Sequence, residues 1–257
     1  MAWYNEDIPE TLNFMVVGDL HCGCDLLQSC LSAHSRIVCH GEVLHEEESI
    51  RRQAHEQYFG DSGSAPDWYL PMHISMEQYL TNKIFDNTLF KESAVGVKVG
   101  YRHFIDQDLW DYTIYKCRQG DFCLLHVKRN PVACFVELLE SRENLTGLNG
   151  LTSTCSAVTV DLPLLVSFVR KHVAASLKID RLCEDRAVIM YHDLILDCRG
   201  TLECLFKYLG ITYEPECIPL SQQIQQKDIC SRVSNWSSLL QEAPDDVRAL
   251  LEDPKLF

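Results

Sequence analysis

Five short runs of consecutive apolar residues recur along the chain, and each is typical of a strand that is buried on both faces of a parallel sheet. They are Asn13–Val17, Arg36–Cys39, Ala94–Val99, Phe122–Val127 and Ala187–Tyr191. The residues between these runs follow a helical period instead. Because strands that alternate with helices predict a parallel sheet with right-handed crossovers, the expected fold class is α/β. We expect a three-layer α/β/α arrangement with a central parallel sheet of about five strands.

Helical segments are predicted between the runs. Pro131 stands where proline is favoured, at the first position of a helix, and Gly210 ends another helix. One predicted helix has an apolar face of Leu26, Leu27, Cys30 and Leu31, and a second begins at Pro131. Two more are predicted over Val160–Leu177 and Thr201–Leu209. The turn-rich segments Gly60–Pro71 and Gly147–Ser156 are predicted surface loops. Since the strand pattern continues past both, we expect a single domain over residues 1–257.

The net charge of the chain limits the classes of partner that it is expected to bind. The formal net charge over 257 residues is −14, so there is no basic surplus for holding nucleic acid or an anionic membrane. The same charge works against an anionic cofactor unless cations are concentrated around it. The sequence has no basic, apolar leader and no run of about 18 apolar residues, which predicts a cytoplasmic protein. Most of its 13 cysteines are then expected to be reduced thiols.

A glycine-bearing turn between the first strand and the first helix, within Phe14–Leu31, is the first candidate for chemistry. Backbone amides and the helix dipole at such a turn favour an anion, so the turn could hold a phosphate. Many strand–helix turns contain glycine merely as connectors, and the pattern alone leaves both interpretations open. Cys22 and Cys24 in this turn could also bind a soft metal or form a disulfide, although two ligands do not make a zinc site.

The segment Gly18-Asp19-Leu20-His21 resembles the opening motif of the metallophosphoesterases. In that family an aspartate and a histidine of the motif bind a metal. The later motifs of the family are missing from this chain. A metal-dependent phosphoesterase is therefore kept as a distant alternative.

A second resemblance extends over almost the whole chain. Gly18, Gly23 and Leu27 match the glycine-rich turn of the sulfotransferases. Further segments that match in the family's order are Ser32–Glu42, Gly96–Lys98, His126–Pro131, Tyr191–Leu194, Gly200–Ile211 and Arg232–Trp236. The chain thus resembles the sulfotransferase superfamily. The resemblance implies transfer of a sulfuryl group from 3′-phosphoadenosine 5′-phosphosulfate to a hydroxyl of a carbohydrate or small metabolite.

The resemblance also shows where the cofactor loop departs from the family. His21 stands at the position of an arginine or lysine, and Cys22 and Cys24 replace hydroxyl residues, although a thiol is a poorer hydrogen-bond donor. Asp25 replaces another hydroxyl residue. Since a carboxylate repels a phosphate, the loop is predicted to be degenerate.

The second half of the cofactor site departs in the same direction. Arg129 is kept, but Glu137 stands where the family usually has a serine on the 3′-phosphate. The polyanionic cofactor would meet an acid at each end, so weak or absent binding is expected. The resemblance implies these cofactor-binding candidates: Gly18, His21, Cys22, Gly23, Cys24, Asp25, Arg129, Glu137 and Arg232.

The candidate catalytic residues follow the second and third strands. The resemblance to bacterial members of the family implies that Glu42 is the general base, which takes the proton from the acceptor hydroxyl as sulfuryl transfer proceeds. The sequence leaves equally open that Glu42 only caps a turn or faces solvent. Lys98, at the end of a strand, could neutralise the sulfuryl group. His40, His45 and His103 are alternative bases. Three functions stay open: an active sulfotransferase, a sulfotransferase-fold binding or scaffold protein without catalysis, and the phosphoesterase.

Overall fold

The computed structural model of the chain describes residues 11–44, 76–85, 93–105, 107–146, 157–182, 186–218 and 228–253. The predicted loops at Gly60–Pro71 and Gly147–Ser156 lie outside these residues, as does His45. All five apolar runs are strands of one parallel sheet, as predicted. The strands are β1 (Leu12–Gly18), β2 (Ile37–His40), β3 (Ala94–Gly100), β4 (Phe122–Lys128) and β5 (Arg186–Met190).

The order of the strands is β2-β3-β1-β4-β5, which places β1 at the centre of the sheet. Val17 of β1 is in register with Val99 of β3 and His126 of β4. The chain leaves β1 toward one edge of the sheet and leaves β4 toward the other edge. The carboxyl ends of β1 and β4 therefore form a topological switch point, the place where open α/β sheets bind ligands.

Helices connect the strands and follow the last one. The helices are α1 (Cys24–Ser32), α2 (Met76–Tyr79), α3 (Gln107–Gln119), α4 (Pro131–Thr146), α5 (Leu162–Asp180), α6 (Tyr191–Leu196), α7 (Cys198–Tyr208), α8 (Ile229–Arg232), α9 (Trp236–Glu242) and α10 (Asp245–Glu252). A π-helical turn follows α2 over Leu80–Ile84, and short 3-10 helices cover Tyr101–Ile105 and Pro215–Cys217. Within the described part of the chain, no helix combines the length and apolarity needed to cross a membrane.

The two faces of the sheet are covered by different helices, as the three-layer prediction requires. Alternate residues of β1 point to opposite faces. Phe14 and Val16 pack with α1, α6 and α7, whereas Met15 and Val17 pack with α2 and α3. A third apolar cluster joins α4 and α5 to the helices α9 and α10 near the end of the chain.

The predicted helices form, with boundaries that differ by a few residues. The helix predicted from Val160 begins at Leu162, because the Asp161 side chain caps it by accepting a hydrogen bond from the Leu164 amide at 2.9 Å. Tyr191, predicted as the last residue of a strand, is instead the first residue of α6. Gly210 has a φ of +69° after α7, which is the left-handed conformation that ends many helices.

A buried histidine links β4 to α5 beneath the carboxyl edge. Nδ1 of His126 donates to Asp180 at 3.0 Å, and Nε2 accepts from the Tyr101 hydroxyl at 2.7 Å. Lys128 and Arg186 also contact Asp180, at 2.6 and 3.1 Å. Burial, and the nearby charge of Lys128, lower the pKa of His126 to about 4, although Asp180 acts in the opposite direction. His126 is therefore neutral in the folded protein at neutral pH.

This network predicts how stability depends on pH. In the unfolded chain a histidine takes up its proton near pH 6.5, whereas folded His126 stays neutral until about pH 4. The unfolded state then binds more protons in this window, so the free energy of unfolding should fall by up to about 3 kcal/mol as pH drops from 6.5 to 4. Urea unfolding of the wild type and of His126→Gln across this range checks it. Between pH 6.5 and 4, the free energy of unfolding of His126→Gln should fall less steeply than that of the wild type. Equal slopes for the two proteins would contradict the lowered pKa of His126.

Candidate functional site

The loop from Asp19 to Gly23 joins β1 to α1 at the switch point. Two of its residues have positive φ: His21 at +59° and Gly23 at +102°. A side chain at Gly23 would clash with the ring of Tyr191 in addition to adopting an unfavourable φ. Glycine is therefore required at this position by both the backbone and the close approach of α6.

The two cysteines of the loop point into the protein. Cys22 and Cys24 are buried free thiols whose sulfur atoms lie 3.4 Å apart, packed beneath Gly18. The hydrogen bond to Cys22 and burial together raise the pKa of Cys24 well above its ordinary value. Among the described residues, no three or more His, Cys, Asp and Glu side chains come together as a possible metal site. The thiols therefore contribute to packing of the loop.

Asp19 links the loop to α5 through a hydrogen bond. Its Oδ2 atom accepts a hydrogen bond from Nδ1 of His172 at 2.8 Å, and Oδ1 accepts from the Leu20 amide at 2.8 Å. His172 is buried in the middle of α5. The sequence gives no local signal for this contact, because 153 residues separate the partners.

Lys98 lies in β3 two residues before the carboxyl end of the strand, and its amine faces two carboxylates. Its Nζ atom contacts Oδ1 of Asp25 and lies 2.9 Å from Oε1 of Glu42. Arg102 approaches the other Glu42 oxygen at 3.7 Å. Burial lowers the pKa of Lys98, but Asp25 and Glu42 raise it more, so the net shift is upward. The amine is therefore a charged group that the protein's own acids already neutralise.

Arg129, directly after β4, forms a second ion pair. Its Nη1 and Nη2 atoms donate to the two carboxylate oxygens of Glu137 at 2.7 and 2.5 Å, a bidentate arrangement. Nη1 also donates to the carbonyl oxygen of His21 at 2.6 Å. The guanidinium stacks on the ring of Tyr191, 4.0 Å from its centroid. Both terminal nitrogens of Arg129 are thus engaged, its buried Nε atom has no hydrogen-bond partner, and only 6% of its surface is exposed.

A second arginine extends this ion pair. Arg232, the last residue of α8, donates from Nε to Glu140 at 2.9 Å and makes a second hydrogen bond to the same carboxylate from Nη2. Its Nη1 atom lies 3.6 Å from Glu137. The hydrogen bond from Glu140 raises the pKa of Arg232, so its charge is also compensated internally. We call Arg129, Glu137, Arg232 and Glu140 the arginine–glutamate cluster.

A cavity of about 90 Å³ opens at the carboxyl edge between β1 and β3. The predicted site residues that line it are Gly18, His21, Cys24, Asp25, Glu42 and Lys98. His103, an alternative base, also lines it, whereas His40 is fully buried at the end of β2 and is not among the lining residues. His21 connects the cavity to the arginine–glutamate cluster, because its Nδ1 atom lies 4.0 Å from Glu137.

Sequence reasoning missed three residues of this region. Arg102 follows the end of β3 by two residues, and a charged residue at that place is a usable signal. Glu140 lies one helical turn after Glu137, but its partner Arg232 is 92 residues away along the chain. The sequence does not indicate that His172 contacts the loop, because this residue occupies an ordinary position within a predicted helix.

Several solved structures show limited similarity to this chain. The sulfotransferase domain of the Synechococcus PCC 7002 olefin synthase is 16% identical, with a TM-score of 0.48, over 100% of this chain and 92% of that one. The sulfotransferase domain of the curacin biosynthetic pathway is 14% identical, with a TM-score of 0.49, over 85% and 79%. A sulfotransferase from Alicyclobacillus acidocaldarius is 19% identical, with a TM-score of 0.40, over 80% and 87%.

All three are sulfotransferases. They belong to the family that the motifs of the chain resemble. No family model matches the chain, and no curated protein matches it. The similarities are likenesses of overall shape and assign no activity to this protein.

Proposed function

We propose that this chain is a catalytically inactive binding or scaffold protein with a sulfotransferase-like fold, whose carboxyl-edge site is no longer suited to the nucleotide donor. In this proposal the chain's own carboxylates cancel the positive charges that 3′-phosphoadenosine 5′-phosphosulfate needs. The observation that carries the proposal is the bidentate pairing of Arg129 with Glu137 at 2.7 and 2.5 Å.

The 3′-phosphate of that donor does not fit the residues present. Both terminal nitrogens of Arg129 are already engaged by Glu137, and one also by the carbonyl of His21. A phosphate oxygen about 4 Å from the Glu137 carboxylate would be repelled by roughly 4 kcal/mol at an effective dielectric near 20. The desolvated arginine cannot offset this repulsion without releasing its glutamate.

The cavity carries the same compensation. Lys98 lines it and contacts both Asp25 and Glu42. Asp19, Asp25 and Glu42 line the cavity together with Lys98 and Arg102, so its carboxylates outnumber these two cations by one, which disfavours a phosphosulfate group. The net charge of −14 adds to this tendency at long range.

We also propose that the protein functions in the cytoplasm. All the cysteines in the described residues are free thiols, and Cys22 and Cys24 share a hydrogen bond and not a disulfide, with their sulfur atoms 3.4 Å apart. Thiols of this kind suit a reducing compartment.

Substitutions that remove a carboxylate of the site or add a cation to it test the proposed function. Wild-type protein should bind adenosine 3′,5′-bisphosphate weakly or not at all. Glu137→Ser, Asp25→Thr and His21→Arg should each tighten binding, by about tenfold for each 1.4 kcal/mol of repulsion removed or attraction gained. Isothermal titration calorimetry at one fixed ionic strength measures the effect.

A surface ion pair supplies the matched control. Glu203 pairs with Arg199 at 2.7 Å on the exposed face of α7, so Glu203→Ser removes the same charge far from the pocket. It should leave the titration unchanged. Tight binding by the wild type, unimproved by all three repairs, would show that the pocket holds the bisphosphate by another route.

Sulfuryl transfer to a hydroxyl of a carbohydrate or small metabolite is the second candidate function. It is favoured by Glu42, whose carboxylate lies in the cavity 2.9 Å from Lys98 and 3.7 Å from Arg102. A carboxylate held in this way could take the proton of an acceptor hydroxyl, with Lys98 beside it to stabilise the charge that develops.

If the protein transfers a sulfuryl group, Glu42→Gln should lower turnover by about a hundredfold or more, because general bases contribute on that order. The measurement is a rate assay with labelled donor against a panel of hydroxyl acceptors. Thermal unfolding of the variant controls for lost structure. An unchanged rate would remove Glu42 from the chemistry and favour His103.

A further inference from the structure

The two edges of the sheet differ in how they are covered. At one edge, side chains of α1 reach the backbone of β2: Gln28 and Ser32 both approach the carbonyl oxygen of Cys39, at 3.4 Å. At the other edge, β5 pairs with β4 on one side, and in the part of the chain that the structure describes no strand pairs with its other side. An open strand edge presents backbone donors and acceptors with which a further strand can pair.

A groove of about 500 Å³ runs beside this open edge. One wall is β5, and the other is the face of α7 that carries Thr201, Cys204, Leu205 and Tyr208. We call it the β5–α7 groove. Val188, the middle residue of β5, is 45% exposed. An exposed valine in the middle of an open edge, next to a largely apolar groove, is surface that a partner strand can bury.

The two ends of β5 carry opposite charges. Arg186 is its first residue and keeps 22% of its side chain exposed while it contacts Asp180. Asp193 and Asp197 line the groove beyond the carboxyl end of the strand, and both are exposed. A partner strand that runs antiparallel brings its own first residue to this acidic end. The edge is therefore complementary in charge to a second copy of itself, which is what a two-fold symmetric interface requires.

We propose that β5 and the β5–α7 groove form the interface of a homodimer, in which β5 pairs antiparallel with β5 of a second copy. With the two-fold axis at Val188, all five residues of the strand pair, and the two five-stranded sheets join into one. Arg186 then lies opposite Met190 of the second copy, next to the acidic end of that strand. The inference goes beyond the proposed function and does not depend on the carboxyl-edge site.

Both faces of the joined sheet contribute to this interface. Ala187 and Ile189 pack with α7, so the alternation of side chains places Val188 on the opposite face, where it meets Val188 of the second copy. A two-fold axis perpendicular to the sheet keeps α7 of both copies on one face, where they enclose the grooves between them. A specific interface buries roughly 1,000 Å² or more, so the helices must add to the contact that the strands make.

Sedimentation velocity at increasing protein concentration tests the dimer. The wild type should approach twice the 29.5 kDa mass of the chain. Val188→Lys should raise the dissociation constant of the dimer at least about tenfold, because it sets two cations against each other at the axis. Leu164→Lys is the matched control, since Leu164 is an exposed apolar residue at the start of α5, and it should leave the constant unchanged.

A second variant keeps the test sharp if Val188→Lys does not fold. Asp193→Lys changes an exposed residue and sets a cation against Arg186 of the second copy, so it should also raise the dissociation constant. Thermal unfolding of each variant shows whether it keeps its structure.

Cross-linking locates the interface independently. Cys204 is an exposed thiol that lines the groove, and the proposed symmetry brings it close to Cys204 of the second copy. A short bismaleimide should therefore convert the wild type into a covalent dimer. Cys204→Ser should abolish this product, whereas Cys230→Ser, which removes an exposed thiol of α8, should not.

The outcomes decide the inference. A dimer that is weakened by the substitutions in and after β5, unaffected by Leu164→Lys and cross-linked through Cys204 supports it. A wild type that stays monomeric at every concentration overturns it, and leaves the groove to an extended segment of a different protein. A dimer that both Val188→Lys and Asp193→Lys leave intact, or that cross-links without Cys204, has its interface elsewhere and also overturns the inference.

Discussion

The bidentate ion pair between Arg129 and Glu137 is the interaction on which the rest of the site depends. Arg129 is buried, and a buried guanidinium is stable only when its charge and hydrogen bonds are satisfied. Glu137 supplies the opposite charge and accepts from both terminal nitrogens, from within the same strand–helix unit, since it lies in the second turn of the helix that Arg129 precedes. The arginine therefore holds its shape and place without a ligand, and the loop carbonyl of His21 is held with it.

The topology of the sheet explains why this pair has consequences beyond stability. The loops that follow β1 and β4 meet at the switch point, so the cavity near Lys98 and the arginine–glutamate cluster lie side by side. Lys98, Arg129 and Arg232 at this edge are each paired with carboxylates of the chain. The edge therefore keeps the position of a ligand site while internal carboxylates compensate these cations.

Sequence patterns predicted the architecture well because strands and helix starts are encoded locally. Continuous apolar runs located all five strands, and Pro131 located the start of α4. The acidic residues Asp25 and Glu137 could also be recognised in the sequence as departures from the family. The long-range pairs of the site could not be predicted: Lys98 and Asp25 are 73 residues apart, and Asp19 and His172 are 153 apart. Such pairs are set by tertiary packing, and no local period records them.

A double-mutant cycle on the central ion pair tests the account most directly. The free energies of unfolding of Arg129→Met, Glu137→Gln and the double variant are compared with that of the wild type by urea denaturation. Each single change should destabilise the protein, and the double variant should be more stable than the sum predicts by about 2 kcal/mol or more, because the second change removes a charge that the first left unpaired. Additivity within about 0.5 kcal/mol would contradict the account, since the two side chains would then not compensate each other.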